Sequence, residues 1–516
     1  MIKRRVIVWL ATIMVMFGFL DTLYLSYNHF NSSIIICSEG IFGNCGEVLN
    51  SQYSTVFGFP LAVIGLIYYF IFGYLFWVAL TLGGKLYKRL IFIQTALGLV
   101  FSAYLTFLQF FIIKSLCHYC LLSAIISLIL YLLVRLLWRR DYRLFILTKI
   151  EFSYKVFAKP LFFLLPPEWV HEQAMFWGEI AGKIPLMRNF FKKVFYFEYP
   201  ILKQKIAGIT FDNPLGLSAG YDYMSAFSKI LPSVGFGFET VGTISNYPFE
   251  GNARPRLGRL PKSKSLLVNK GFRNPGADAT IDKLKNMSFE FPLGISIGKT
   301  NSIEFAGTKK AAVGDVVAAF KKFESAKLKN KYYELNISCP NLKGGVTFYP
   351  PEELNILLKS LKKLNISKPV FIKMPIEKSD EEVRKMLDVI VKYKFIVGVI
   401  FGNLQKDRSD KSFDQLEIKT AGIGNFSGKP TFRRSNELIK LAYSRYGNKL
   451  IVIGCGGIFT AEDAYRKIRL GASLVELITG MIFEGPQLIS QINTKLVELL
   501  RKDGFEKLSD AVGIDS

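Results

Sequence analysis

The sequence predicts two folds in one chain, an N-terminal four-helix transmembrane bundle and a C-terminal α/β TIM barrel of the (β/α)8 type with interfacial helices before it. Two observations lead to this expectation. Four long apolar segments fill the first quarter of the 516-residue chain, and eight short β-rich runs alternate with helical stretches from Ile206 onward. Hydrophobic residues make up 50% of the chain, a high value for a wholly soluble protein. We therefore expect part of the chain to lie in lipid.

The apolar segments lie at about residues 6–27, 58–81, 90–113 and 117–137. Each supplies about the 20 apolar residues that a helix needs to cross the hydrocarbon core, and none contains a cluster of charge. The first is longer than the apolar region of a signal peptide and lacks a small-residue cleavage site. We expect it to be retained as the first of four transmembrane helices.

Basic residues indicate the orientation of the bundle. They precede the first span, separate the second from the third, and follow the fourth: Lys3, Arg4, Arg5, Lys85, Lys88, Arg89, Arg135, Arg139, Arg140 and Arg143. Positive residues favour the cytoplasmic side, so both termini should be cytoplasmic in a cell inner membrane, with the loop at about 28–57 outside. The net charge of +25 suits a nucleic acid or an anionic membrane. The apolar segments favour the lipid bilayer, and no nucleic acid partner is expected.

Six cysteines fall on the two sides of this predicted membrane. They are Cys37 and Cys45 in the outer loop, Cys117 and Cys120 at the outer end of the fourth span, and Cys339 and Cys455 in the cytoplasmic part. The outer four meet an oxidising environment. In "CHYC" the sulfurs are one helical turn apart, where a helix start and a neighbouring thiol favour disulfide exchange. Static disulfides or a four-cysteine metal site are the alternatives, and we favour exchange without a metal.

These residues carry a first resemblance. Cys37, Cys45, Ser51, the segment "FGFPLAVIG" and "CHYC" resemble the vitamin K epoxide reductase family in its bacterial form, over about residues 5–138. The resemblance implies that Cys37 and Cys45 take electrons from a periplasmic thioredoxin-like partner. It also implies that Cys117 and Cys120 receive those electrons and reduce a membrane quinone.

The segment from about 150 to 193 is rich in aromatic and basic residues. Val170, Ala174, Trp177 and Ala181 follow helical spacing. Such a helix either lies at the membrane interface or packs on the following domain. We expect three parts in the chain, with residues 1–140 as the bundle, 141–193 as a linker with interfacial helices, and 194–516 as the barrel.

Eight β-rich runs predict the barrel strands: "PLGLSAG", "GFETVGTI", "PLGISIG", "YYELNIS", "PVFIKMP", "GVIFGN", "LIVIGCGG" and "LVELITG". Eight alternations with helical stretches over about 300 residues are typical of a TIM barrel. In such barrels the chemistry lies at the carboxyl ends of the strands. Function should therefore be sought in the residues that end these runs.

Two strand ends suggest an anion site. The glycines of "GCGG" and the pair Thr479-Gly480 would let backbone N–H groups approach a phosphate closely, although such glycines can also serve tight turns alone. Other strand ends supply Asn336, Cys339, Asn341, Lys373 and Asn403. Amides can read both edges of a planar heterocycle, and a lysine can stabilise charge on a reduced flavin. Each of these residues could instead be a capping or solvated group.

The same residues carry a second resemblance. The motifs "NPLGLSAGYD", "EGNARPRLGRLP", "NKGFRNPG", "LNISCPN", "VFIKMP", "FSGKP" and "LSDAVG" occur in the order seen in dihydroorotate dehydrogenases, over about residues 150–516. The lead-in "PPEWVHEQAMFWGEIAGKIP" resembles the helices that form the quinone entrance in the membrane-associated class. The resemblance implies FMN as prosthetic group, oxidation of dihydroorotate to orotate, and quinone as electron acceptor.

The resemblance also implies residue roles. Cys339 would be the catalytic base. The substrate would be held by Asn269, Gly271, Phe272, Asn274, Asn336, Asn341 and Asn403. FMN would contact Ala219, Gly220, Thr243, Lys373, Gly428, Gly457, Thr479 and Gly480.

Four positions depart from the family pattern. Cys339 stands where quinone-using members typically have serine, Tyr223 where a lysine is usual, Ser296 where an asparagine is usual, and Ile478 where a tyrosine is common. A thiol with a reference pKa of about 8.5 predicts turnover that persists toward pH 7. Two alternatives stay open at this point, an FMN barrel that acts on another heterocycle and an inactive barrel that serves as a binding module.

Overall fold

Two units make up the chain, residues 1–148 and 149–516. The structure is a computed structural model that describes residues 2–31, 45–343 and 345–516. The first unit contains four long apolar helices and the second a closed barrel of eight parallel strands. The predicted fold class is confirmed.

Within the described residues, four helices of the first unit are long and apolar enough to cross a membrane: Arg4–Asn31, Leu61–Thr81, Lys85–Ile113 and His118–Leu137. A helix satisfies its backbone hydrogen bonds internally, which a lipid environment requires. The third span ends in a π-helical stretch at Leu108–Ile113. The helices coincide with the predicted spans except at their ends.

Shorter elements complete the first unit. A helix at Cys45–Leu49 and an antiparallel pair of strands, Thr55–Val56 with Phe59–Pro60, precede the second span. A further helix, Arg139–Ser153, follows the fourth span.

Aromatic side chains form the centre of the bundle. Tyr69, Phe72 and Phe76 of the second span are buried. The Tyr69 hydroxyl lies 3.0 Å from Ser123 Oγ on the fourth span, and a Cβ at Gly18 of the first span would overlap the Tyr69 ring. Small residues allow close approach of helices in lipid, so Gly18 makes room for this contact among three spans.

The eight barrel strands follow one another in chain order, and we label them β1 to β8. They are β1 Leu215–Leu217, β2 Phe238–Ile244, β3 Leu293–Ile297, β4 Tyr332–Asn336, β5 Val370–Met374, β6 Ile396–Phe401, β7 Ile451–Cys455 and β8 Ala472–Leu477. Each pairs in parallel with the next, and β8 pairs with β1 to close the barrel. All eight predicted strands are present.

Helices lie between the barrel strands and after the last one. They are Leu231–Val234, Ala277–Leu284, Ile303–Ala306, Lys309–Ser325, Pro351–Lys362, Asp380–Ile390, Gln415–Thr420, Phe432–Tyr446, Ala461–Arg469, Thr479–Glu484 and Leu488–Lys502. Two smaller sheets accompany the barrel. One pairs Gln204–Ile206 with Ile209–Phe211, and the other joins Leu257–Leu260, Ser265–Val268 and Asn425–Gly428.

Four helical segments precede the barrel: the π-helical Tyr154–Ala158, then Lys159–Leu164, Pro167–Lys183 and Pro185–Phe195. The long helix Pro167–Lys183 buries Met175, and a Cβ at Gly178 would overlap the Phe227 ring beside β1. Its opposite face leaves Phe176 and Trp177 56% and 62% exposed. The helix therefore packs on the barrel with one face and presents aromatic side chains with the other.

Glycines make room for aromatic rings inside the barrel. A Cβ at Gly216 on β1 would overlap the Phe238 ring of β2, and a Cβ at Gly294 on β3 would overlap the Tyr332 ring of β4. Side chains must fill the interior of an eight-stranded barrel. A large residue on one strand therefore requires a small one on its neighbour.

Gly294→Ala is expected to destabilise the barrel by about 1–3 kcal/mol, because the added methyl group collides with the buried Tyr332 ring. Gly314→Ala is the matched control, since Gly314 lies in helix Lys309–Ser325 with no atom within 4 Å of a new Cβ. That change should be neutral or stabilise by up to about 1 kcal/mol. Denaturant unfolding followed by circular dichroism measures both, and equal midpoints would contradict this packing argument.

Candidate functional site

A cavity of about 230 Å³ opens at the carboxyl ends of the barrel strands. The ends of the strands line it together with the Leu257–Leu260 and Ser265–Val268 hairpin and the helix Pro167–Lys183. Most of the residues singled out from the sequence meet here: Ala219, Gly220, Thr243, Gly271, Phe272, Asn336, Cys339, Asn341, Lys373, Asn403, Gly428, Gly457, Thr479 and Gly480. Closure of the barrel thus brings together residues that are far apart in sequence.

Two predicted substrate residues do not line this cavity. Asn274 is buried, and its amide donates to Ser245 Oγ at 2.7 Å while its carbonyl oxygen accepts from the Gly276 N–H at 2.8 Å. Asn269 accepts a hydrogen bond from Asn252 at 3.0 Å. Both amides hold the loop around Gly271 and Phe272 in this structure.

Glycines that follow β7 and β8 form one wall of the cavity. Gly456 and Gly457 have φ values of 89° and 72°, which side chains other than glycine rarely adopt. A Cβ at Gly480 would overlap the Ile458 carbonyl oxygen. The bare backbone at these positions can approach an anionic group closely.

Lys373 provides a fixed positive charge at the end of β5. Its Nζ donates to Ser218 Oγ at 2.7 Å and lies 3.7 Å from Glu334 and 3.9 Å from Glu476. Burial alone lowers the pKa of Lys373, but the two carboxyl groups outweigh burial and raise the pKa above its usual value. Burial raises the pKa of Glu476 to about 7, although the charge of Lys373 opposes this shift.

Sequence reasoning missed both of these acidic residues. Glu334 and Glu476 interrupt the apolar runs "YYELN" and "LVELI". A charged residue inside a predicted barrel strand requires a partner in the interior. That pattern would have indicated a buried ion pair with a lysine on another strand.

Neighbouring groups fix the orientation of the amides. Asn336 donates to Thr243 Oγ1 at 2.8 Å, and Asn403 donates to the Ser338 carbonyl oxygen at 2.6 Å. Asn341 accepts from Asn425 at 2.6 Å. Fixed amides can distinguish donor and acceptor positions on a bound heterocycle.

Cys339 is a free thiol that lines this cavity and a smaller neighbouring one. Burial raises the pKa of Cys339 to about 12, and the charge of Lys406 opposes this effect only in part. The thiol is therefore protonated at neutral pH in the unliganded protein. This differs from the expectation of a competent base near pH 7, because the reference pKa used there ignored desolvation.

The positions that depart from the family pattern lie in or beside the cavity. Tyr223 and Ile478 line it. The Ser296 hydroxyl donates to Glu334 at 2.6 Å and lies 2.9 Å from Thr243 Oγ1. Ser296 therefore joins a buried polar network instead of facing the cavity.

The bundle contains a second cavity, of about 1460 Å³, lined by Cys45, Cys120, Tyr68 and Gln94 among other residues. Cys45 is disulfide-bonded, whereas Cys117 and Cys120 are free thiols. The Cys117 N–H donates to Gln109 Oε1 at 2.9 Å, which holds the start of the fourth span. Cys37 lies outside the described residues. The structure thus places Cys45, which precedes the second span, and Cys120 of the fourth span at one cavity.

Known proteins resemble both units. The family model for dihydroorotate dehydrogenase matches residues 201–500, and the model for the vitamin K epoxide reductase family matches residues 9–135. A dihydroorotate dehydrogenase (quinone) of Trichodesmium erythraeum is 34% identical over 363 residues, which cover 67% of this chain and 94% of the relative. The corresponding protein of Haloarcula marismortui is 32% identical over 362 residues, covering 69% and 98%.

A solved structure agrees with these relatives. The crystal structure of DHODH from Eimeria tenella in complex with ferulenol has a TM-score of 0.60 and 26% sequence identity, and the match covers 68% of this chain and 96% of that one. Both resemblances expected from the motifs are confirmed. The chain belongs to the dihydroorotate dehydrogenase family and joins the barrel of that family to an N-terminal domain of the vitamin K epoxide reductase family.

Proposed function

We propose that the barrel oxidises dihydroorotate to orotate through FMN and passes the electrons to a membrane quinone. The observation that carries this proposal is the convergence of Lys373, the oriented amides, the Cys339 thiol and the glycines after β7 and β8 in one cavity. Relatives that align over nearly their whole length are named as quinone-dependent enzymes of this kind. The proposal extends that activity to this chain.

The cavity fits FMN. Gly428, Gly457, Thr479 and Gly480 line the cavity, and their backbone N–H groups would hold the FMN phosphate. Ala219, Gly220, Thr243 and Lys373 would contact its ring system. When bound, FMN accepts a hydride from the substrate and later gives up two electrons. The charge of Lys373 favours negative charge on the reduced ring.

The protein side chains supply the proton chemistry. Dihydroorotate loses a proton from one ring carbon and a hydride from the adjacent carbon, and Cys339 Sγ takes the proton. Asn336, Asn341 and Asn403 would bind the polar edge of the pyrimidine. Asn269 and Asn274 act by holding the loop that carries Gly271 and Phe272 against the substrate.

The bundle anchors the protein in lipid, and we assign it to a cell inner membrane with both termini in the cytoplasm. Aromatic residues on the exposed face of Pro167–Lys183 and basic residues near its end suit contact with an anionic bilayer. Quinone would enter the barrel beside this helix. The three-part division at residues 1–140, 141–193 and 194–516 follows from these roles.

For the bundle we propose thiol oxidation coupled to quinone reduction. Cys37 and Cys45 would exchange with a periplasmic thioredoxin-like protein and transfer its electrons to Cys117 and Cys120. Two thiols lose two electrons and two protons as their disulfide forms, and the quinone takes up both to become a hydroquinone. The disulfide at Cys45 and the free thiols at Cys117 and Cys120 support this order.

Dihydroorotate added anaerobically to the purified protein should bleach the flavin absorbance near about 450 nm. Cys339→Ala should keep the flavin but slow its reduction by about 10²–10⁴-fold, because the proton acceptor is gone. Cys120→Ala is the matched control in the other unit and should leave the rate unchanged. A flavin that dithionite bleaches and dihydroorotate does not would favour another substrate or a binding module.

The pH profile of flavin reduction tests the buried thiol. Only the thiolate accepts a proton, and the pKa of Cys339 is about 12, so the wild-type rate should rise about tenfold per pH unit across the neutral range. Cys339→Ser should be slower at every pH, because a hydroxyl ionises less readily than a thiol. Stopped-flow absorbance measures both profiles. A flat wild-type profile or an unchanged serine profile would remove Cys339 from the base role.

Quinone reduction by the two units should depend on different cysteines. Cys117→Ala should abolish quinone reduction driven by dithiothreitol in vesicles, because no disulfide can form with Cys120. Dihydroorotate-driven quinone reduction should persist in the same variant. Cys339→Ala should give the opposite result. Loss of both activities in Cys117→Ala would contradict independent sites.

A further inference from the structure

The charge of the barrel cavity is one-sided. Four cationic side chains line it, Arg259, Lys270, Arg273 and Lys373, whereas no Asp or Glu appears among the described lining residues. Like charges in a confined, partly dehydrated space repel one another unless anions offset them. The cavity therefore favours an anionic ligand. A cation that has no carboxylate partner within the protein is the best candidate to bind that ligand.

Two of the four cations already have carboxylate partners. Lys373 lies 3.7 Å from Glu334 and 3.9 Å from Glu476. Arg273 lies 2.8 Å from Glu172. These pairs offset the charge of both side chains before any ligand arrives.

Backbone oxygens hold the third cation. Arg259 Nη1 donates to the carbonyl oxygens of Leu165 at 2.6 Å and Phe163 at 3.3 Å. These bonds tie the guanidinium to the segment before the helix Pro167–Lys183. Arg259 therefore has a structural role at the edge of the cavity.

Lys270 is different. Its side chain is buried, and within the described chain no Asp or Glu oxygen lies within 4.0 Å of its Nζ. Its Nζ lies 3.2 Å from His171 Nδ1 and 5.3 Å from the centroid of the Tyr223 ring. His171 Nε2 lies 2.8 Å from the Tyr221 carbonyl oxygen, which can only accept. Nε2 therefore carries the proton and Nδ1 accepts from Lys270, which leaves ammonium hydrogens for a ligand.

The backbone holds Lys270 in place. The next two residues, Gly271 and Phe272, have φ values of 64° and 65°. A Cβ at Gly271 would lie 2.7 Å from Asn252 Nδ2, so the turn packs closely on its neighbours. Gly271 and Phe272 line the same cavity as Cys339. The ammonium group is thus preorganised beside the proposed substrate position.

We propose that Lys270 binds the carboxylate of the pyrimidine acid and selects this substrate over uncharged pyrimidines. This inference rests on the proposed oxidation of dihydroorotate. The carboxylate supplies the anion that Lys270 lacks, and a charge-assisted hydrogen bond in a dehydrated site contributes more than a neutral one. Lys270 is a specificity residue and takes no part in the proton or hydride transfer.

The pH dependence of binding follows from the surroundings of Lys270. Burial, followed by the charge of Arg273, lowers the pKa of Lys270 to about 7. The ligand-free side chain is a cation below this pH and loses its proton above it. Affinity for a carboxylate should therefore be highest below about pH 7 and fall as the pH rises.

The other titratable groups near Lys270 do not change their charge near pH 7. Burial, and then the charge of Lys270, lowers the pKa of His171 to about 3, so this ring stays neutral. Burial raises the pKa of Tyr223 above its usual value. The remaining charged groups near Lys270 are Arg256, Arg273, Glu168 and Glu172. The two glutamates pair with these arginines.

Calorimetric titration of the flavin-loaded protein with orotate and with uracil, which has the same ring without the carboxylate, tests the proposal. Lys270→Gln should weaken orotate binding by about 10- to 100-fold and leave uracil binding unchanged. Lys270→Arg should retain orotate binding but lose the pH transition near 7. Lys285→Gln, an exposed lysine on a barrel helix, is the control and should behave as wild type.

The outcomes separate this inference from the proposed function. A wild-type protein that binds no orotate and is not reduced by dihydroorotate refutes the proposed function. A wild-type protein that binds orotate while Lys270→Gln shows an unchanged ratio of orotate to uracil affinity refutes the role of Lys270. FMN content, read from the absorbance of each variant, shows whether the phosphate site is intact. If Lys270→Gln fails to fold, the pH dependence of orotate affinity in the wild type and in Lys270→Arg tests the proposal instead. An orotate affinity of the wild type that does not change with pH overturns it.

Discussion

Closure of eight parallel strands into a barrel is the constraint on which the proposed dehydrogenase site depends. The residues that line the mouth of the barrel come from strand ends that are far apart in sequence, so Thr243, Cys339 and Gly457 meet only when β8 pairs with β1. Closure in turn depends on a filled interior. Gly216 and Gly294 leave room for the aromatic rings of neighbouring strands, and the site above them inherits its geometry from this packing.

Removal of water sets the chemistry at that mouth. Burial raises the pKa of Cys339 and lowers that of Lys270, since a low-dielectric surrounding disfavours both charged forms. Lys373 keeps its charge because Glu334 and Glu476 lie close enough to outweigh burial. The same physical effect thus gives a protonated thiol, a titratable ammonium and a permanent cation. The two lysines differ because Lys373 has two carboxyl groups within 4.0 Å, whereas Lys270 has none within the described chain.

Under the proposed function the two units would share an electron acceptor, a quinone, and differ in their electron donors. Thiols would be the donor for the bundle, and a pyrimidine acid would be the donor for the barrel. Each unit has its own cavity lined by a free cysteine, Cys120 in the bundle and Cys339 in the barrel. Neither chemistry requires a residue of the other unit.

The sequence by itself determined the four apolar spans, the eight strands and the two families, because hydropathy, alternation and motif order are local properties of the chain. Most of the site residues that it identified line the barrel cavity. Only the tertiary structure decided the protonation of Cys339, the ion pairs of Lys373 and the absence of a carboxylate partner for Lys270 within the described chain. In the folded structure Asn274 does not line the cavity, and its side chain makes hydrogen bonds within the neighbouring loop. These properties depend on burial and on partners distant in sequence, which exist only after the chain has folded.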